Sequence, residues 1–96
     1  MREILIYERT GNFAGNKDIA RDIRLNEILP YIEKEDIIVL NFNRVESATQ
    51  SFIHALISDV IRTYGATVLE KLLFKDCDSK IQKVISIVSE YMQEPS

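Results

Sequence analysis

The stretch from Ile37 to Gly65, IIVLNFNRVESATQSFIHALISDVIRTYG, decides how this chain folds. Ile37, Ile38, Val39 and Leu40 form a mostly β-branched, unbroken apolar run. Such a run is expected of a strand covered on both faces. The segment from Asn43 to Gln50 is polar apart from Val45 and Ala48, so it reads as a turn. From Ser51 onward, Ile53, Leu56, Ile57, Val60, Ile61 and Tyr64 recur at helical spacing. Gly65 stands where a left-handed C-terminal cap is wanted. Strand, turn and helix in this order put the turn at the carboxyl end of the strand. The free N–H groups of the first helical turn lie there too. In open α/β sheets this is where ligands and partners meet the protein.

Working outward, Glu3 to Tyr7 reads as a first strand. Glu8 to Asn16, with Gly11 and Gly15, reads as a loop that has room for an extra short strand in the Glu8–Phe13 region. Asp18 to about Lys34 has the helical set Ile19, Ile23, Ile28, Leu29 and Ile32, with Pro30 expected to kink or split it near Leu29. Asp36 to Phe42 is the second strand, and Lys71 to Lys75 the third. The last helix starts at Asp78 or Ser79, where Ser79-Lys80-Ile81-Gln82 has capping-box spacing. Ile81, Val84, Ile85, Val88 and Tyr91 form its apolar face. The order β-α-β-α-β-α predicts an α/β fold: a small, mostly parallel or mixed sheet of three to four main strands, with helices packed on it. At 96 residues, the chain is expected to be one domain spanning 1–96.

Composition narrows the function. The net charge of −3 comes from 15 acidic and 12 basic residues with interspersed signs. No Lys/Arg stripe is present to displace counterions from nucleic acid or to sit on an anionic membrane, so neither partner is expected. No apolar run has the length of a signal or a span, which points to the cytoplasm. Cys77 is the single cysteine, which excludes an internal disulfide and a CxxC site.

Enzyme signatures are missing. Gly11 to Asp18 looks superficially like a phosphate loop, but the second Gly comes one residue early and no Gly-Lys-Ser/Thr follows. One His and one Cys, far apart, do not make a metal site. His54 lies off the apolar face of its helix, with no paired nucleophile or orienting acid evident, and reads as a solvated residue. Cys77 reads as a small, at least half-buried residue beside the last helix. No catalytic residue, cofactor or metal is expected.

The hydroxyl cluster Ser47, Thr49 and Ser51 carries the remaining chemistry. One of the three must cap the helix, with Thr49 or Ser51 at or next to the cap; a cap is worth about 1 kcal/mol. Ser47-Ala48-Thr49-Gln50 also has capping-box spacing. A hydroxyl at a helix start is in addition a good place for a phosphate. The dianion would meet free N–H groups and the positive end of the helix dipole. It would also add about two negative charges to the surface.

The same stretch resembles the core of the STAS-like domain family of unknown function. The resemblance is carried by Asn41, Phe42, Val45, Glu46, Ser47, Thr49, Ser51 and Phe52: an apolar strand ending in an Asn–Phe step, a Val-Glu-Ser turn, then Ser-Phe and an amphipathic helix. It covers Ile38 to Gly65 well and roughly Asp18 to Met92 loosely. That family is similar in turn to bacterial anti-sigma-factor antagonists, which bind a serine kinase of the histidine-kinase-like ATPase fold and are switched by serine phosphorylation. The resemblance puts that position on Ser51. Where antagonists carry Asp-Ser-Ser-Gly or Asp-Ser-Thr-Gly, this chain has Thr49-Gln50-Ser51-Phe52. It implies a small non-catalytic regulatory module that binds a protein, such as a histidine-kinase-like ATPase, through Asn43, Glu46, Ser47, Thr49, Gln50, Phe52 and His54; for Phe52 the core is the plainer reading, and it anchors a partner only if exposed. The alternatives are an unswitched adaptor that pairs with itself as a homodimer, and a small nucleotide-binding domain.

Overall fold

The structure, a computed structural model, describes residues 1–34 and 37–93. Its main sheet has three parallel strands: β1 (Arg2–Leu5), β3 (Ile38–Asn41) and β5 (Leu72–Lys75), in the order β1-β3-β5. A second, two-stranded parallel sheet pairs β2 (Phe13–Ala14) with β4 (Ser47–Ala48). The extra short strand expected between Glu8 and Phe13 is therefore real, shifted to Phe13–Ala14, and it builds a separate sheet. Among the described residues, four α-helices accompany the strands: α1 (Tyr7–Thr10), α2 (Lys17–Ile23), α3 (Gln50–Tyr64) and α4 (Ser79–Gln93). A short 3-10 segment, Ala66–Glu70, leads from α3 into β5. α3 packs against α2 and against α4.

Register explains which side of the main sheet is dry. Ile4, Leu40 and Phe74 share one row across the strands, and Arg2, Ile38 and Leu72 share another. Ile4, Ile38, Leu40 and Leu72 are buried in the core. The alternate residues face the other way, as the two-residue period of a strand requires. There Leu5 is 42% and Leu73 is 46% exposed. The central strand is nevertheless buried on both of its faces, as expected: Val39 is 5% and Asn41 8% exposed. β3 is central, between β1 and β5, and is buried along its length. Asn41 Nδ2 donates to Glu3 Oε2 at 3.1 Å, and Lys75 Nζ stands 3.6 Å from the same oxygen. Asn41 Oδ1 in turn accepts the Asn43 N–H at 2.8 Å.

The helix expected over Asp18–Lys34 is interrupted. α2 ends at Ile23, and Arg24–Ile28 continues as a π-helical turn. Its mark is the Leu29 N–H donating to the Arg24 carbonyl, five residues back, at 2.9 Å. The extra residue lets Ile23, Ile28 and Ile32 all be buried, although the step from Ile23 to Ile28 is too long for one α-helical face. It also turns Arg24 toward α3. There Nη1 donates to the Ala55 carbonyl at 2.8 Å and lies 3.2 Å from Asp59 Oδ2.

Other boundaries move less. The first strand stops at Leu5, and the residues expected as loop begin with the helical turn α1. The second strand is Ile38–Asn41, and the expected start at Asp36 lies outside the described residues. α4 is capped by Asp78, whose Oδ1 accepts the Lys80 N–H at 2.7 Å, not by Ser79 in a capping box. Gln82, assigned to that box, donates its side-chain N–H to the Cys77 carbonyl at 2.9 Å. Of the expected α4 face, Ile81 and Val88 are buried, Val84 and Ile85 are half-buried, and Tyr91 is exposed. Gly65 does close α3, its N–H donating to the Ile61 carbonyl at 2.7 Å, but at φ 82°, ψ 171° and not in the left-handed helical region. That backbone region is essentially reserved for glycine. Among the described residues, no helix is long and apolar enough to cross a membrane.

Candidate functional site

β4 ends at Ala48 and α3 begins at Gln50, so Thr49 alone must turn the chain. Its backbone is extended, and its Oγ1 accepts the Phe52 N–H at 3.1 Å. Its own N–H donates to the Ala14 carbonyl at 2.9 Å, which ties the helix start to β2. Thr49 is thus the helix cap. Thr49→Ala should cost about 1 kcal/mol in urea denaturation, while Thr49→Ser should cost less because it keeps the oxygen. Ser47 does not cap: it is half-buried in β4, in register with Phe13.

The turn before α3 docks on the loop before β2. The Glu46 N–H donates to the Asn12 carbonyl at 2.8 Å, and Asn12 Nδ2 returns a bond to Glu46 Oε2 at 2.9 Å. Asn43 is exposed. Arg44 next to it has a positive φ of 73°, and its guanidinium lies 4.6 Å from the centre of the Tyr7 ring. Asn43 and Glu46 therefore sit on a braced turn.

The first turn of α3 splits its side chains cleanly. Gln50 and Ser51 are exposed, while Phe52 and Ile53 are fully buried. Phe52, assigned above to the partner surface, belongs to the hydrophobic core and is withdrawn from that surface. The reason is helical geometry. Phe52 shares a face with Leu56, four residues on, and that face points inward. His54 is half-buried, and among the described residues it makes no hydrogen bond to an acid or a nucleophile.

Ser51, Gln50 and His54 converge on one groove of about 610 Å³, completed by Lys17, Ala55, Val88 and Tyr91. Among the described residues, Lys17 is the only one of fixed charge in this lining, which makes that lining cationic within a chain of net charge −3. Its amino group makes no ion pair with any described residue. Lys17, Val88 and Tyr91 were not assigned to the site from sequence. One signal for Lys17 was available only with the register in hand. Ala14 pairs with Ala48, so Lys17 and Ser51 each follow a paired alanine by three residues. Parallel pairing thus brings the starts of α2 and α3 side by side.

Cys77 lies apart from this groove. Burial pushes its thiol up to about 11, and the Asp76 carboxylate adds to the rise. A thiol so held is a poor nucleophile at neutral pH, in line with a packing role. Among the described residues, no three His, Cys, Asp or Glu side chains are grouped to hold a metal ion.

Comparison with known proteins bears on the same elements. Among curated proteins and among solved structures, none matches the chain significantly. A family model described as a STAS-like domain of unknown function matches residues 20–82, a stretch that includes β3, β4, α3 and β5. With more than half of its length so matched, the chain belongs to the STAS-like domains of unknown function.

Proposed function

We propose that the protein is a regulatory interaction module, without catalysis of its own, that binds a partner protein through the exposed start of α3 and the turn before it. The partner would be a histidine-kinase-like ATPase or a serine kinase, as the likeness to anti-sigma-factor antagonists suggests. One observation supports this most: Ser51 is exposed on the first turn of α3, beside a cationic groove, while its neighbour Phe52 is fully buried. The chemistry at that turn is polar and outward, and the packing is inward. Asn43, Glu46, Gln50, Ser51 and His54 form the contact surface in this reading, with Ser47 and Thr49 shaping its backbone.

Ser51 is the candidate switch. A kinase would move the γ-phosphoryl group of a nucleoside triphosphate onto Ser51 Oγ. The Oγ–P bond forms, the P–O bond to the diphosphate breaks, and the hydroxyl proton passes to a base of the kinase. The product carries about two added negative charges at the contact. Charge there acts on the partner more than on the fold, because a helix start favours an anion by about 0.3–1 kcal/mol.

The test is recovery of partners from the native host with wild type, Ser51→Ala and Ser51→Glu, each checked by thermal melting. Ser51→Glu should recover about tenfold less partner or worse, since like charge or an ill-desolvated carboxylate at a contact costs more than 1.4 kcal/mol. All three should melt alike. Equal recovery by all three would remove Ser51 as a switch and leave the unswitched adaptor. That second reading has its own support in the open sheet face, where Leu5 and Leu73 are exposed. Sedimentation of the wild type over a concentration series reads self-association directly.

A further inference from the structure

We propose that Lys17, with His54, is the receptor of a phosphate on Ser51, so that phosphorylation fills the groove between α2, α3 and α4 from within. This rests on the Ser51 switch proposed above and says how the switch would be read.

Four observations converge on it. Ser51, His54 and Lys17 line one groove of about 610 Å³, ample room for a phosphate group. Ser51 and His54 are three residues apart on α3, so their side chains share a helix face. Lys17 reaches the same groove from α2, because the parallel pairing of Ala14 with Ala48 sets the two helix starts in register. Among the described residues, no carboxylate lines the groove and none makes an ion pair with the Lys17 amino group.

The chemistry follows from charge and donors. A phosphoserine has three acceptor oxygens and prefers the dianion when a cation stands by. The Lys17 ammonium donates to it as a mobile point charge, and the His54 imidazole N–H is a second donor. The N–H groups of the first turn of α3 add their dipole. Once seated, the phosphate occupies the volume that a partner's side chain would enter, and it neutralises the Lys17 charge. Phosphorylation then acts twice: it blocks the groove, and it converts a cationic surface into an anionic one.

The experiment needs no partner. Phosphoserine is installed at position 51 by genetic encoding, in wild type, Lys17→Gln, His54→Gln and Lys34→Gln backgrounds. Lys34→Gln removes an exposed lysine outside the groove and controls for loss of one charge. The second ionisation of the phosphate is followed by phosphorus-31 NMR. In the Lys17→Gln background it should titrate at least about half a unit higher than in wild type, where the pair holds it below the ordinary value of about 6. Lys34→Gln should match wild type. His54→Gln should raise it by less than Lys17→Gln. Equal titration in the wild type and Lys17→Gln backgrounds overturns the proposal. That failure would leave the binding surface of α3 untouched, because the partner-recovery experiment with Ser51→Glu reads it separately. Conversely, a Lys17-dependent titration stands even if no partner responds to Ser51.

Discussion

Phe52→Ala should cost about 3–5 kcal/mol of folding stability, the range for truncating a buried aromatic side chain. Phe52 is fully buried at the first turn of α3 and belongs to the main core cluster. Removing its ring loses the transfer free energy and leaves a cavity that backbone tied to β2 can collapse into only in part. The tie is the Thr49 N–H bonded to Ala14. For a domain of this size, each kcal/mol moves the melting point by about 4–8 °C, so a fall of about 12 °C or more is expected. Urea denaturation of the purified protein, compared with Ser51→Ala beside it, measures both. Ser51→Ala should change stability by less than about 0.5 kcal/mol, because Ser51 is exposed and Thr49 already supplies the cap. A loss under about 1 kcal/mol for Phe52→Ala would put the ring outside the core and return it to the partner surface.

Adjacent residues with opposite fates show what was legible in the sequence. The inward set of α3 was readable because Ile53, Leu56, Ile57, Val60 and Ile61 repeat at 3.6-residue spacing, and each is buried. Phe52 fits that face as well, since Leu56 is four residues on, yet its place beside a polar turn left it open to a partner role. The cap was legible to within one residue, because only Thr49 and Ser51 stood directly before the periodic run. Geometry then chose Thr49, whose oxygen reaches the Phe52 N–H three residues on.

Other features needed three dimensions. Arg24–Ile28 looks helical in sequence, and a π turn changes no residue type. Only the irregular step from Ile23 to Ile28 hints at it. Burial of β3 was legible, but its cause was not. Ile38 and Leu40 belong to the core cluster, while Asn41 is bonded to Glu3, which Lys75 also approaches. Periodicity cannot separate these two kinds of burial. The groove was the least legible part, since Lys17, His54 and Tyr91 are far apart in sequence and meet only through packing of three helices. The resemblance located Ser51, and packing supplied the residues around it.

The same packing sets the second large effect. Leu56→Ala should cost about 2–5 kcal/mol, because Leu56 is fully buried near the middle of α3, the helix flanked by α2 and α4. Ile85→Ala on α4 should cost less than half as much. Ile85 is only half-buried, and its site opens to solvent, so no closed cavity remains. Urea unfolding of the two variants under one set of conditions gives the ratio. A Leu56→Ala loss below about 0.5 kcal/mol, or an Ile85→Ala loss equal to it, would contradict the central place of α3. The ranking also matters for the groove. α3 supplies Gln50, Ser51, His54 and Ala55 to it, whereas α4 supplies Val88 and Tyr91. A well-anchored α3 holds Ser51 at a fixed position against Lys17. The less buried α4 forms the wall that faces it.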